Sequence, residues 1–164
     1  MSADVQYSFF VRILTFDRTL QDGDARKIVI GVLYQEGVRS SVQAKDEFLS
    51  AAAESNIKQI FGKPVECVPI LADDTALVST LEKGGIVILY LTPLRAYDIG
   101  SLAEMMAEKK IVTITGVPEY VREGIAIGVG ARADKPIILV NLQEAKRQGA
   151  DLSAQLLKLA IIIK

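Results

Sequence analysis

Few side chains in this 164-residue chain can carry chemistry, and their types exclude more than they admit. There is no histidine, so the imidazole roles in general acid/base catalysis and metal ligation are missing, and with them the usual hydrolase triad and the common zinc site. Cys67 is the only thiol. It lies in the apolar run Val65 to Leu71, where a lone cysteine reads as an inert core residue rather than a nucleophile. The neighbouring carboxylates Asp73 and Asp74 invite a metal. Adjacent residues diverge around a helix, however, and helix starts favour aspartate, so capping is the better reading. Gly84 and Gly85 follow a helical stretch and precede a strand, whereas a phosphate-binding glycine loop follows a strand and opens a helix; they read as a C-cap. No metal and no cofactor is expected.

The remaining polar groups of interest stand where β-type runs end: Tyr34 and Gln35 after the first, Thr92 after the third, Thr115 and Gly116 after the fourth. In an open α/β sheet the crevice at the carboxyl ends of the strands is the default ligand position. Threonine hydroxyls and free backbone N–H groups at helix starts can hold a small polar or anionic ligand there. The same hydroxyls can instead serve only the turn backbone. If they merely line the mouth, Thr92→Val and Thr115→Val should each cost less than about 1 kcal/mol. Glu119, Arg122 and Glu123 form a local charge cluster that either lines this mouth or is a solvated face.

The elements that would position these groups follow from periodicity. Val5, Phe9, Phe10, Ile13 and Leu14 recur at helical spacing and mark one apolar face of a helix ending near Asp17. Lys27 to Tyr34 is a nearly continuous β-branched run, as expected of a strand covered on both faces. Ser40 to Ile60 reads as a helix with Val42, Phe48, Leu49, Ala52 and Ala53 buried, broken by Gly62, Lys63 and Pro64. Val65 to Leu71 is a strand, Ala72 to Glu82 a helix, and Ile86 to Leu91, the most uniformly apolar run, the sheet centre. The next helix, Asp98 to Lys109, buries Met105 and Met106 as core filling. Ile111 to Ile114 is a strand, and an irregular helical piece follows around Glu119 to Arg122. Alternating strands and helices predict a Rossmann-like α/β domain over 1–164, with a mostly parallel sheet and helices on both faces. Ile125 to Gly130 and Ile137 to Val140 predict a closing antiparallel hairpin, and a terminal helix comes last. Asn141 is placed to cap a helix beginning at Leu142, and Asp151 to cap the terminal one.

Composition bounds the function. Lysine and arginine number 19 against 20 aspartates and glutamates. The basic residues are scattered, so no nucleic-acid footprint is present. No apolar run is long enough to span a bilayer.

The sequence from Val140 onward, with Asn141, Leu142, Ala145, Lys146, Gly149, Leu152, Ser153, Leu156, Leu157, Leu159 and Ala160, resembles the end of the YfiR-type family of small bacterial periplasmic regulatory proteins. The likeness continues through Thr115, Gly116, Val117, Pro118 and Gly124, and more loosely through Lys27 to Leu33 and the first helix. The chain departs from the family in having Phe16, Asp17 and Arg18 without tryptophan at the end of that helix. The resemblance implies a non-enzymatic envelope protein that controls a membrane-anchored signalling partner, such as a diguanylate cyclase or a sensor histidine kinase. It also implies a periplasmic domain whose leader is replaced by Met1. The alternative is a periplasmic small-ligand-binding protein using the crevice.

In the terminal helix, read as Leu152 to Ile163, the residues Leu152, Leu156, Leu159, Ala160 and Ile163 form a core-facing stripe, which leaves Leu157, Ile161 and Ile162 outside it. Either neighbouring elements cover these three, or a homodimer or docked partner does.

Overall fold

The computed structural model describes residues 1–164 and contains one eight-stranded sheet in the order β2-β3-β1-β4-β5-β6-β7-β8. The strands are β1 (Ile28–Tyr34), β2 (Gln59–Ile60), β3 (Lys63–Leu71), β4 (Ile86–Leu91), β5 (Val112–Thr115), β6 (Ile127–Arg132), β7 (Lys135–Asn141) and β8 (Ile161–Ile163). Pairings from β3 through β1, β4 and β5 to β6 are parallel, as the alternation of strands and helices requires. β7 turns back antiparallel on β6, and the two-residue turn places Ala133 and Asp134 at φ 50° and 63°, which suits the right-handed twist of a hairpin. The fold is thus the expected α/β architecture.

Helices cover both faces because β1 and β4 are apolar on both. Ile28, Ile30, Val32, Ile88 and Tyr90 point into a core shared with α1 (Ala3–Leu14) and α3 (Arg39–Glu54). Val29, Leu33, Leu89 and Leu91 point into a second core under α4 (Leu77–Lys83) and α5 (Ile99–Lys109). A 3-10 helix, Pro118–Glu123, packs so closely on β6 that a Cβ on Gly128 would lie 2.5 Å from Val121, and one on Gly130 2.6 Å from Pro118. Those two positions therefore require glycine.

Several expectations are corrected. On α1 the buried face is Tyr7, Phe10, Val11, Ile13 and Leu14; Val5 is exposed and Phe9 half-buried. α3 stops at Glu54 instead of reaching Ile60, because Ser55 turns extended and its hydroxyl accepts the Ile57 N–H, and Ile60 enters β2. On α3 Phe48 and Ala51 are buried, whereas Ala53 is exposed. α4 begins at Leu77, and Asp74 prepares its start by accepting from Ala76 N and Thr80 Oγ1. An unforeseen short helix, α2 (Arg18–Asp22), follows α1.

The largest correction is the terminal helix. The stretch read as Leu152 to Ile163 is instead α7 (Ala154–Leu159) followed by β8, with extended backbone at Ala160 (ψ 153°) ending α7, whereas the helix expected from Leu142 is present as α6 (Leu142–Arg147). Three consecutive β-branched isoleucines pack better along β7 than around a helix. Ser153, not Asp151, caps α7, accepting from Leu156 N. Asn141 does cap α6, accepting from Glu144 N and donating to the Val121 carbonyl. Asn141→Ala should therefore lower stability by about 1 kcal/mol, read as a shift in the urea midpoint.

Residues 16–18 and 151–153 clasp the two ends of the chain together. Arg18 N donates to Asp151 O, Ser153 N donates to Phe16 O, and Asp17 bridges Leu152. Asp17 is 1% exposed, and its Oδ1 accepts from both Thr19 N and Asp151 N, each at 3.0 Å. Burial pushes its carboxyl above the usual carboxylate range, with the charge of Asp151 adding to the rise against the lowering effect of the two N–H donors. A carboxyl raised in the folded state binds protons more readily there than in the unfolded chain. Stability therefore rises as pH falls through the folded value toward about 3.8, and is lowered above it. Urea unfolding of the wild type and of Asp17→Asn across that window should show the stability difference between them shift toward the wild type as pH falls, the other carboxylates contributing equally to both.

Candidate functional site

The five residues marked by the sequence do gather at the carboxyl edge of the sheet, since Leu33 pairs with Leu91 and Leu91 with Thr115 in register. The side chains of Gln35, Thr92 and Thr115, however, face inward. Thr92 is fully buried, and its Oγ1 donates to the Leu33 carbonyl at 2.7 Å. That uses its one proton, so the 2.6 Å contact with Ser41 Oγ is donated by Ser41, whose oxygen in turn accepts from Gln35 N at 2.9 Å. A one-directional relay thus runs from Gln35 N–H through Ser41 and Thr92 to Leu33. Thr115, also fully buried, donates to the Leu91 carbonyl and accepts from Val117 N.

The loop after β4 is held by side chains acting as backbone. Gln35 accepts from Arg95 N at 2.6 Å and donates to Arg95 O at 3.1 Å, as a neighbouring strand would. Tyr120 accepts from Leu94 N and donates to Leu94 O. Gly116 is covered by Gln6 of α1, which accepts from the Tyr90 hydroxyl at 2.8 Å. Among the five, only Tyr34 and Gly116 are half-exposed, and the Lys45 ammonium stands 4.7 Å over the Tyr34 ring. Of the two readings open for these hydroxyls, the structure thus has them serving the backbone rather than lining an open crevice. Glu119, Arg122 and Glu123 are exposed on the 3-10 helix.

Sequence reasoning did not single out Ser41, Gln6, Tyr120 or Gln148. Gln148 is fully buried; it accepts from Thr113 N and Oγ1 and donates to the Gly124 carbonyl. A glutamine inside the motif from Lys146 to Gly149 was the available signal, since a carboxamide beside small and apolar residues has few reasons to stay solvated.

Cys67 is half-buried on β3, and burial pushes its thiol up to about 12. The thiolate at pH 8 is then about a thousandfold scarcer than for an ordinary cysteine. Alkylation by iodoacetamide should be slower than that of glutathione by at least about a hundredfold; an equal rate would show a reactive thiol.

At one lateral edge of the sheet lies β8. Leu159 is 72% exposed and Ile162 37%, whereas Leu157 and Ile161 are half-buried against neighbouring core residues. Of the three residues set aside for an interface, Ile162 is the open one. Leu159, expected on the core side, points outward because α7 ends one residue later.

A mostly parallel α/β sheet with helices on both faces is an architecture shared with substrate-binding-like folds. A model of the YfiR/HmsC-like family matches residues 3–161, and the chain belongs to that family. Its members are periplasmic regulators, rather than enzymes, associated with membrane signalling proteins. No curated protein matches the chain by sequence. Among solved structures it is similar to a conserved domain protein from Vibrio cholerae O1 biovar El Tor strain N16961, with 14% identity and a TM-score of 0.68 over 100% of this chain and 61% of that one. It is similar to the ABC domain in complex with L-Trp from Streptococcus pneumonia, with 14% identity and a TM-score of 0.67 over 99% and 62%. A third likeness is to CD0873, a substrate binding protein with adhesive properties from Clostridium difficile in its ligand-free, open form, with 18% identity and a TM-score of 0.63 over 90% and 58%. The chain thus spans about three-fifths of each of these proteins, and at such identities the likeness is one of fold. No helix is long and apolar enough to cross a membrane.

Proposed function

We propose that this protein is a non-enzymatic periplasmic regulator that acts by binding a membrane-anchored signalling partner of the diguanylate cyclase or sensor histidine kinase type. The observation that supports this reading is the contrast between the carboxyl ends of the strands and the lateral edge formed by β8. At the carboxyl edge the buried hydroxyls and the Gln35 carboxamide are committed to backbone, whereas β8 offers an exposed apolar edge with Ile162 and Leu159. An open strand edge pairs readily with another chain, and burying one such side chain contributes roughly 1.5 to 3 kcal/mol. The same edge serves a homodimer, in which Ile162 leads the contact and Leu157 and Ile161 support it from beneath.

The alternative of a small polar or anionic ligand at the carboxyl edge rests on Tyr34 with Lys45 and on Gly116, since Gln35, Thr92 and Thr115 are turned inward. It calls for a ligand reaching Lys45 and the backbone beyond Gly116.

The test is genetic and physical together. Deletion of the gene should change cellular cyclic di-GMP or response-regulator phosphorylation, and the wild-type gene should restore it. Leu159→Lys with Ile162→Lys should fail to restore it while its circular dichroism and urea midpoint match the wild type. A deletion that moves neither readout overturns the regulatory reading. Sedimentation of the same double variant, alongside Leu157→Lys and Ile161→Lys, reports on the dimer; a wild-type monomer at high concentration removes that part alone.

A further inference from the structure

At the amino ends of the central strands, away from the carboxyl edge, lies a cavity of about 200 Å³. Leu20, Ile28, Val87 and Val112 give it apolar walls, and Asp17 lines it as well. Asp17 is almost wholly buried, yet only Oδ1 of its carboxylate is engaged, by the two backbone N–H groups; Oδ2 has no hydrogen-bond partner. Nor does Asp17 take part in any ion pair, although cations stand close by. The Lys63 ammonium, on the rim, donates to Leu20 O at 2.7 Å and Gly23 O at 2.8 Å. Lys110 donates to Arg147 O at 2.9 Å, and the Arg18 guanidinium is held by Asp151. These three cations are tied elsewhere, while the Asp17 carboxylate keeps one oxygen without a protein donor, open to the apolar hollow.

A carboxylate oxygen that meets no protein donor and opens only onto a small hollow is poorly solvated, and the natural complement is a cation that brings its own N–H donors. The hollow is smaller than the roughly 300–1,000 Å³ of sites for drug-sized ligands, so its occupant is small. We propose that this cavity binds a small organic cation, a primary ammonium with a short alkyl body, whose N–H groups donate to Asp17 Oδ2 while its carbons pack on Leu20, Ile28, Val87 and Val112. Because Asp17 also holds Asp151 N, the ligand sits against the clasp that leads into α7 and β8.

The amide signals of Thr19 and Asp151, both bonded to Asp17 Oδ1, are direct reporters. Titration of n-butylammonium chloride into the nitrogen-15-labelled protein at pH 7.5 and fixed ionic strength should move both signals to saturation. n-Butanol, equal in shape and uncharged, should require at least tenfold higher concentration. Asp17→Asn, which keeps the Oδ1 acceptor, and Val87→Phe, which fills the hollow without touching the carboxylate, should each weaken the ammonium at least tenfold. Should Asp17→Asn fail to fold, Val87→Phe and the butanol comparison decide. Butanol binding as tightly as butylammonium, undiminished binding by Val87→Phe, or shifts that never saturate would each overturn the site.

Discussion

Phe48→Ala is expected to lower stability by about 3 to 5 kcal/mol, the range for truncating a fully buried aromatic. Phe48, 1% exposed on α3, stacks on Tyr90 of β4 with ring centroids 3.9 Å apart, and Tyr7 of α1 meets it edge-on at 5.6 Å. Phe10 then meets Tyr90 edge-on at 5.8 Å. Two helices and the central strand therefore meet through this one ring. Aromatic pairs add about 0.5 to 1.5 kcal/mol beyond the area they bury. Collapse into the void is hindered because the Tyr90 hydroxyl is tethered to Gln6 Oε1 and β4 is paired on both sides. The urea midpoint should fall with an unchanged slope, and Phe48→Leu should recover part of the loss. A drop under about 2 kcal/mol would mean that the helices close over the gap.

Thr92→Val should cost about 1 to 3 kcal/mol, more than a mouth-lining residue would. Its hydroxyl is the middle of the relay from Gln35 N–H to the Leu33 carbonyl, and valine leaves the Ser41 hydroxyl proton buried without an acceptor. The Leu33 carbonyl keeps its bond from Thr92 N, so the damage falls on the Ser41 side. Thr92→Ser should be nearly neutral by comparison. In a double-mutant cycle, Ser41→Ala combined with Thr92→Val should cost less than the sum of the two, since the orphaned proton disappears with Ser41. A Thr92→Val loss below about 1 kcal/mol, or strict additivity, would return the hydroxyl to the mouth of the crevice.

How far the sequence discloses this molecule depends on which signal each segment carries. Ile86 to Leu91 is read with the bounds of β4, because a run apolar on every residue has only one home in an α/β sheet. The hairpin of β6 and β7 is equally legible from two β-type runs across a short polar connection. The terminal segment misleads because Leu152, Leu156 and Leu159 keep helical spacing while Ile161, Ile162 and Ile163 carry β-branching, and the break at Ala160 has no glycine or proline to announce it. The site is less legible still. That Thr92 and Thr115 stand at strand ends follows from the pattern, but their direction depends on Ser41, Leu33, Leu91 and Val117, which adjoin them only after folding. Asp17, lying at the end of a helix, carries no local mark of the carboxylate's burial under a segment 134 residues away.

The clasp between residues 16–18 and 151–153 also imposes an order of events on the growing chain. α1 is made well before the segment that covers it, since its apolar face packs in a core completed by Ala150, Leu152 and Leu156. Until those residues emerge, Phe10, Val11 and Leu14 lack part of their cover, and closing so long a loop is entropically slow. Completion of this core thus waits for a segment made 134 residues after Asp17, and the amino-terminal elements stay loosely packed until it arrives.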